Sequence, residues 1–87
     1  MKILNSAPSG CTTLNDAGLP SGWFKINADQ HISDVPSGYS DGIVFILKTS
    51  DSNILQIALP FQFNNIYIRL KWGNNWQTWR KIPTSEL

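Results

Sequence analysis

Eighty-seven residues, 41% apolar and only 15% charged, make one small globular domain. Eight Asn, nine Ser, four Gln and five Thr occupy the place that charges usually take, and ten Ile and ten aromatics against four Ala and one Glu exclude a long helix. A net charge of +1 does not by itself call for nucleic acid or a membrane, and a single cysteine, Cys11, excludes an intrachain disulfide.

The opening Met-Lys-Ile-Leu runs into Asn-Ser rather than into a long apolar stretch, so no signal peptide is read, and the longest apolar run, Ile43 to Leu47, is too short to span a membrane. A soluble domain without membrane insertion is expected. Residues 5–10 are small and polar with Pro8 and Gly10, so that residues 1–10 read as a linker. Around residues 12–17 the spacing of Gly18, Pro20 and Gly22 allows a tight loop or at most one short helical turn. Trp23 to Ile26 predicts a strand, and residues 29–42, with Pro36, Gly38 and Gly42, a long irregular connection.

Ile43-Val44-Phe45-Ile46-Leu47 predicts a strand covered on both faces. Ser50-Asp51-Ser52-Asn53 is a turn, followed by a strand over Ile54 to Leu59 with Leu55, Ile57 and Leu59 on one face and Pro60 as its stop. Phe61-Gln62-Phe63 reads as its continuation past a kink, and Asn64-Asn65 as the next turn. Ile66 to Lys71 alternates, apolar on the even positions. After Gly73-Asn74-Asn75 a last strand runs from Gln77 to Ile82, closed by Pro83. The expected fold is mainly β: a small antiparallel meander of about five strands.

The densest chemistry is the cluster Trp72, Trp76 and Trp79 among Arg69, Lys71, Arg80 and Lys81. A three-residue loop, Gly73 to Asn75, sets Trp72 opposite Trp76 and Arg69 opposite Trp79, where the guanidinium can lie over the ring. It also puts Arg80 on the face of Ile68. A two-residue loop, Asn74-Asn75, pairs Leu70 with Trp79 and sets Arg69 against Arg80, and like charges directly opposite are unfavourable. The first register is preferred and the second stays open. Exposed Trp beside Asn, Gln and Arg suits a saccharide: sugar C–H faces stack on the ring, and amides and guanidinium groups hydrogen-bond the hydroxyls. The bland alternative is cross-strand packing in a domain short of other bulk. A base-stacking platform for single-stranded nucleic acid is a remote third, because no Lys/Arg run exceeds two residues.

Catalysis finds little support. His31, between Asp29 and Asp34 and with Asp41 beyond, reads as part of a solvated turn-rich loop rather than as a metal ligand or acid–base pair. Cys11 reads as a small half-buried thiol. With no phosphate loop, paired Cys motif or nucleophile elbow, the chain is not read as an enzyme, and no cofactor or metal is expected.

Thr13-Leu14-Asn15-Asp16, then Pro20-Ser21-Gly22-Trp23-Phe24, resembles the opening Asp-Leu-Asn … Pro-Gly-Tyr/Phe of the pyocin-knob family, small domains in tail fibres of bacteriophages and phage-tail-like bacteriocins. Ile66-Tyr67-Ile68-Arg69, a turn, and Trp76-Gln77-Thr78-Trp79-Arg80-Lys81-Ile82 resemble the family's closing Tyr-Val-Arg … Trp-x-x-Trp-x-x-Ile/Leu. Thr13 stands where the family often has Asp. The resemblance covers about residues 11–83, leaving 1–10 as a linker or fibre-connecting segment and 84–87 as a tail. It implies a compact β domain at the distal end of a virion fibre, outside the host cell, homotrimeric, and attaching without catalysis to a bacterial cell-surface polysaccharide or other receptor. A structural spacer or trimer-capping domain with no ligand is the competing expectation. Leu14, Asn15, Gly22, Trp23, Arg69 and Trp79 are the motif positions that fix the fold. The expected ligand contacts are Trp72, Asn74, Asn75 and Trp76 at the hairpin tip, with Tyr39 and Asp41 from the long loop.

Overall fold

The computed structural model describes residues 5–7 and 10–87. The fold is mainly β, as the composition predicts. The strands are β1 (Asn5–Ser6), β2 (Gly22–Ile26), β3 (Gly42–Ser50), β4 (Asn53–Pro60), β5 (Asn65–Trp72), β6 (Asn75–Trp76) and β7 (Arg80–Pro83). They form one sheet in the order β1-β2-β3-β4-β5-β6, with β7 also pairing with β5. Every pairing is antiparallel except β1 with β2. Among the described residues no helix is long and apolar enough to cross a membrane.

Several boundaries differ from expectation. Asn5 and Ser6, expected within the linker, pair in parallel with Phe24 and Lys25, while residues 1–4 and 8–9 of that linker lie outside the described residues. Of the two readings for residues 12–17 the tight loop is the one present, and a 3-10 turn lies at Ala28–Gln30, where the Gln30 side chain accepts the Asn27 N–H at 2.9 Å. Residues 12–17 instead form tight turns: Thr13 Oγ1 accepts the Asn15 N–H at 3.1 Å and Asp16 accepts that of Gly18 at 2.8 Å. The hydroxyl at position 13 thus does the capping that a carboxylate would do. Phe61 to Phe63 does not extend β4. It forms a turn with Phe63 at φ 55°, and both phenylalanines are more than half exposed. Pro60 offers no N–H for a longer ladder.

The two faces of the sheet are unlike. Phe24 pairs with Val44, Val44 with Ala58 and Ala58 with Tyr67, so these four share a row on one face. That face holds the core, Phe24, Ile26, Val44, Ile46, Ile54, Ala58 and Tyr67, covered by Leu14, Leu19, Ile32 and Tyr39 from the two long connections. The other face carries Trp23, Ile43, Phe45, Leu55, Ile57, Leu59, Ile66 and Ile68, all only partly covered, and Leu47 and Leu70, exposed. β3 is therefore covered on one face, not on both.

In β4 and β5 the buried set is the more polar one. Gln56 and Arg69 are buried while Leu55, Ile57, Ile68 and Leu70 are not. The cause lies in what covers the core. The second layer is irregular chain, whose buried carbonyls need donors that a regular helix or sheet would supply internally. Gln56 Nε2 donates to the Leu14 carbonyl at 2.7 Å, and the Tyr39 hydroxyl to that of Ile26 at 2.7 Å. The loop layer thus draws an amide donor from the sheet beneath it, while its own Tyr39 satisfies the carbonyl at the end of β2.

Candidate functional site

The tryptophan cluster is divided by a bulge. Trp72 pairs with Asn75 and Lys71 with Trp76, so the loop is Gly73-Asn74, two residues long, and matches neither register weighed from the sequence. Its first residue, Gly73, has φ 64°, a left-handed conformation that suits the first position of a tight hairpin turn. Further on, Ile68 pairs with Arg80, the register expected from a three-residue loop. Residues 77–79 therefore span a stretch faced only by Arg69 and Leu70, and the extra residue sits in the strand rather than in the loop. Three residues apart, Trp76 and Trp79 would point to opposite faces of a regular strand. The bulge brings both to one side.

There they clamp Arg69. Its guanidinium carbon lies 4.0 Å from the Trp76 ring centroid and 4.5 Å from that of Trp79, so the expected contact with Trp79 is present and Trp76 adds a second. Arg69 Nε donates to Gln56 Oε1 at 2.9 Å, while its buried Nη2 has no hydrogen-bond partner. Burial pulls the guanidinium pKa down to about 10, opposed by the carboxylate of Asp34. The indole N–H of Trp76 donates to the Asn15 carbonyl at 3.3 Å and that of Trp79 to the Asp34 carbonyl at 2.9 Å. Trp76 thus holds the loop layer on the sheet and does not project from the tip as a ligand contact.

The other motif positions act likewise. Leu14 is fully buried, Gly22 opens β2 opposite Ile46, and Trp23 packs on Phe45 with ring centroids 4.5 Å apart.

The expected ligand contacts do not gather at one place. Trp72, 74% exposed, and Asn74 and Asn75, both exposed, do lie together at the hairpin tip. Tyr39 is buried, its hydroxyl engaged by Ile26, and that burial raises its pKa, with Asp41 adding to the effect. The Asp41 carboxylate accepts the Ala28 N–H at 2.8 Å. Both precede Gly42, at the start of β3, whereas the tip lies beyond Asn53, which pairs with Ser50 at the end of β3. The eight steps between correspond to about 26 Å at about 3.3 Å per residue. Tyr39 and Asp41 are structural residues of the far end.

A groove that the sequence did not single out lies on the loop-covered side, at the β5–β7 edge. It is lined by Pro36, Ser37, Tyr67, Thr78, Trp79 and Lys81 and has a volume of about 420 Å³. Ser37, Thr78 and Lys81 are exposed, and Trp79 is half-buried. An aromatic wall with two hydroxyls and an ammonium at its rim can stack on an apolar ring face and hydrogen-bond its substituents. Thr78 and Lys81 stood within the motif quoted above, but nothing local told that residues 36–37 fold against them. His31 takes a left-handed conformation (φ 53°) after the 3-10 turn, and burial raises the Cys11 thiol pKa. Among the described residues no three His, Cys, Asp or Glu side chains gather as a metal site.

Comparison with known proteins brings no relative: no family model, no curated protein and no solved structure matches the chain.

Proposed function

We propose that this chain is a non-catalytic attachment domain of a bacteriophage or phage-like tail fibre, and that it holds a bacterial surface glycan in the groove between Pro36–Ser37 and Thr78–Lys81. The observation that carries the reading is the composition of that groove, aromatic at Tyr67 and Trp79 and hydrogen-bonding at Ser37, Thr78 and Lys81. The resemblance to pyocin-knob domains supports the fibre context, in which repeated copies of a weak site would gain avidity on a dense polymer. Lys81 favours glycans bearing carboxylate or phosphate groups, since an ammonium adds charge-assisted hydrogen bonds.

The test is a titration with bacterial polysaccharides (lipopolysaccharide O-chains, capsular polymers, teichoic acids) read at the Trp79 indole N–H by NMR. Binding that shifts this resonance and weakens about tenfold in Lys81→Ser, a change of about 1.4 kcal/mol, is the expected result. No shift with any polymer, or binding indifferent to Lys81→Ser and Thr78→Ala, would overturn it. A spacer without a ligand is the second reading, favoured by Trp72, which lies on the sparsely covered sheet face with Leu70 rather than beside the groove.

A further inference from the structure

The sheet face opposite the core is apolar across its centre, over β3, β4 and β5. One row runs Trp23, Phe45, Ile57, Ile68 and Arg80 from β2 to β7. The row on one side begins with Lys25, Ile43 and Leu59 and ends with Ile66 opposite Ile82, and the row on the other joins Leu47, Leu55 and Leu70. Leu47, Leu70 and Ile82 are 44%, 46% and 48% exposed. A sheet with one face packed normally turns a polar face to water, alternating along each strand. In β4 and β5 this chain does the reverse, keeping Gln56 and Arg69 inside while Leu55, Ile57, Ile68 and Leu70 stand partly covered or exposed on the other face. Among the described residues, the core segments that contribute Leu14, Leu19, Ile32 and Tyr39 all lie on the other side.

We propose that this face is covered by a second copy of the same chain, packed sheet on sheet. Five strands at about 4.8 Å spacing and about 3.3 Å per residue make a face of roughly 20 by 25 Å, on the order of 500 Å² in projection. That exceeds the few hundred Å² at which a contiguous apolar patch marks an interaction site. Two such faces remove on the order of 1,000 Å², the area that a biological interface should clear, before side-chain relief is added.

The chemistry selects a copy over other occupants. Among the described strand positions of this face no carboxylate occurs, and the two cations, Lys25 and Arg80, stand on β2 and β7 at its flanks, leaving an uncharged centre. A nucleic acid needs cations at that centre, and a saccharide needs hydrogen-bonding groups there. A flat apolar centre is complementary to itself, which is what a two-fold interface demands, and twisted sheets stack naturally at about 10 Å. A net charge of +1 leaves little repulsion between copies. The groove lies on the far side and stays open in the assembly, so this inference stands or falls apart from the glycan reading.

The experiment is light scattering of the full chain from low micromolar to several hundred micromolar, for the wild type and for Leu47→Lys/Leu70→Lys. Both leucines are already nearly half exposed, so the double variant retains the fold, which circular dichroism checks. Ile57→Asp, at the centre, is the stronger variant, and Lys81→Ser in the groove is the control. The expected result is a wild-type mass of two chains, with a dissociation constant raised at least about tenfold in the double variant and unchanged in the control, and a closed three-chain mass would count against the two-fold pairing. A wild type that stays monomeric at the highest concentration, or an oligomer indifferent to the double variant, overturns the proposal. So does a monomer that partitions onto lipid vesicles through this face.

Discussion

Arg69 is held by shape as much as by charge. Two indoles cover its plane at 4.0 and 4.5 Å, and one amide, Gln56, accepts its Nε–H while donating to Leu14. Removing the amide alone strands a buried cation, and in comparable settings this costs about 3–5 kcal/mol. Replacing both polar partners by apolar side chains of similar size removes that charge and is often near neutral. Urea unfolding of Gln56→Leu, Arg69→Met and the double variant is therefore expected to be strongly non-additive. Gln56→Leu alone destabilises most, and the double variant recovers at least about 1 kcal/mol of that loss. Additive effects would mean that the guanidinium is sustained by its indoles and is indifferent to the amide. The sequence disclosed half of this arrangement: Arg69 over Trp79 follows from cross-strand pairing. Trp76 as the second ring did not, because it depends on a bulge, and an extra residue in a strand looks in sequence like an extra residue in a loop.

Among the elements, the two glycines flanking the long hairpins are constrained for different reasons and their replacement separates the two. Gly42 opens β3 opposite Pro60, and a Cβ there would collide with the Leu59 carbonyl oxygen and lie 2.8 Å from the Pro60 Cα. The obstruction is backbone, so β3 and β4 must separate at that end, and Gly42→Ala is expected to cost more than about 2 kcal/mol. Gly73 has open space around it and only its positive φ to protect, so Gly73→Ala is expected to cost about 1 kcal/mol. Equal losses by thermal melting would show that crowding at Gly42 is relieved by a small backbone shift. The strands themselves were legible, from Trp23 to Ile82, because β-branched and aromatic runs are punctuated by Asn, Asp, Gly and Pro. Which face of each strand is buried was not. Alternation in β5 points its isoleucines inward, yet the ladder through Ala58 and Val44 ties Tyr67 and Arg69 to the core side. A one-residue phase is settled by what packs above the sheet, and here that is a loop layer whose carbonyls call for donors.

In the whole molecule, one sheet meets one layer of irregular chain, and the apolar side chains that a larger domain would place in a second layer remain at the surface. An 87-residue domain that leaves such a face open is at the low end of self-sufficiency, since its core is bounded by a single interlayer contact. Assembly then enters stability by mass action: the folded state alone associates, so raising the protein concentration favours it. For a dimer each tenfold rise adds about 0.7 kcal/mol per chain, half of the usual 1.4. In a domain of this size that shifts the melting midpoint by about 3–5 °C. Wild-type protein melted at micromolar and at hundred-micromolar concentration should therefore show midpoints several degrees apart, with Leu47→Lys/Leu70→Lys flat over the same range. Because the centre of the face carries no charged side chain among the described residues, sodium chloride should leave the wild-type difference intact, whereas sulfate should raise both midpoints. A concentration-independent wild-type midpoint would mean that the loop layer alone stabilises the sheet.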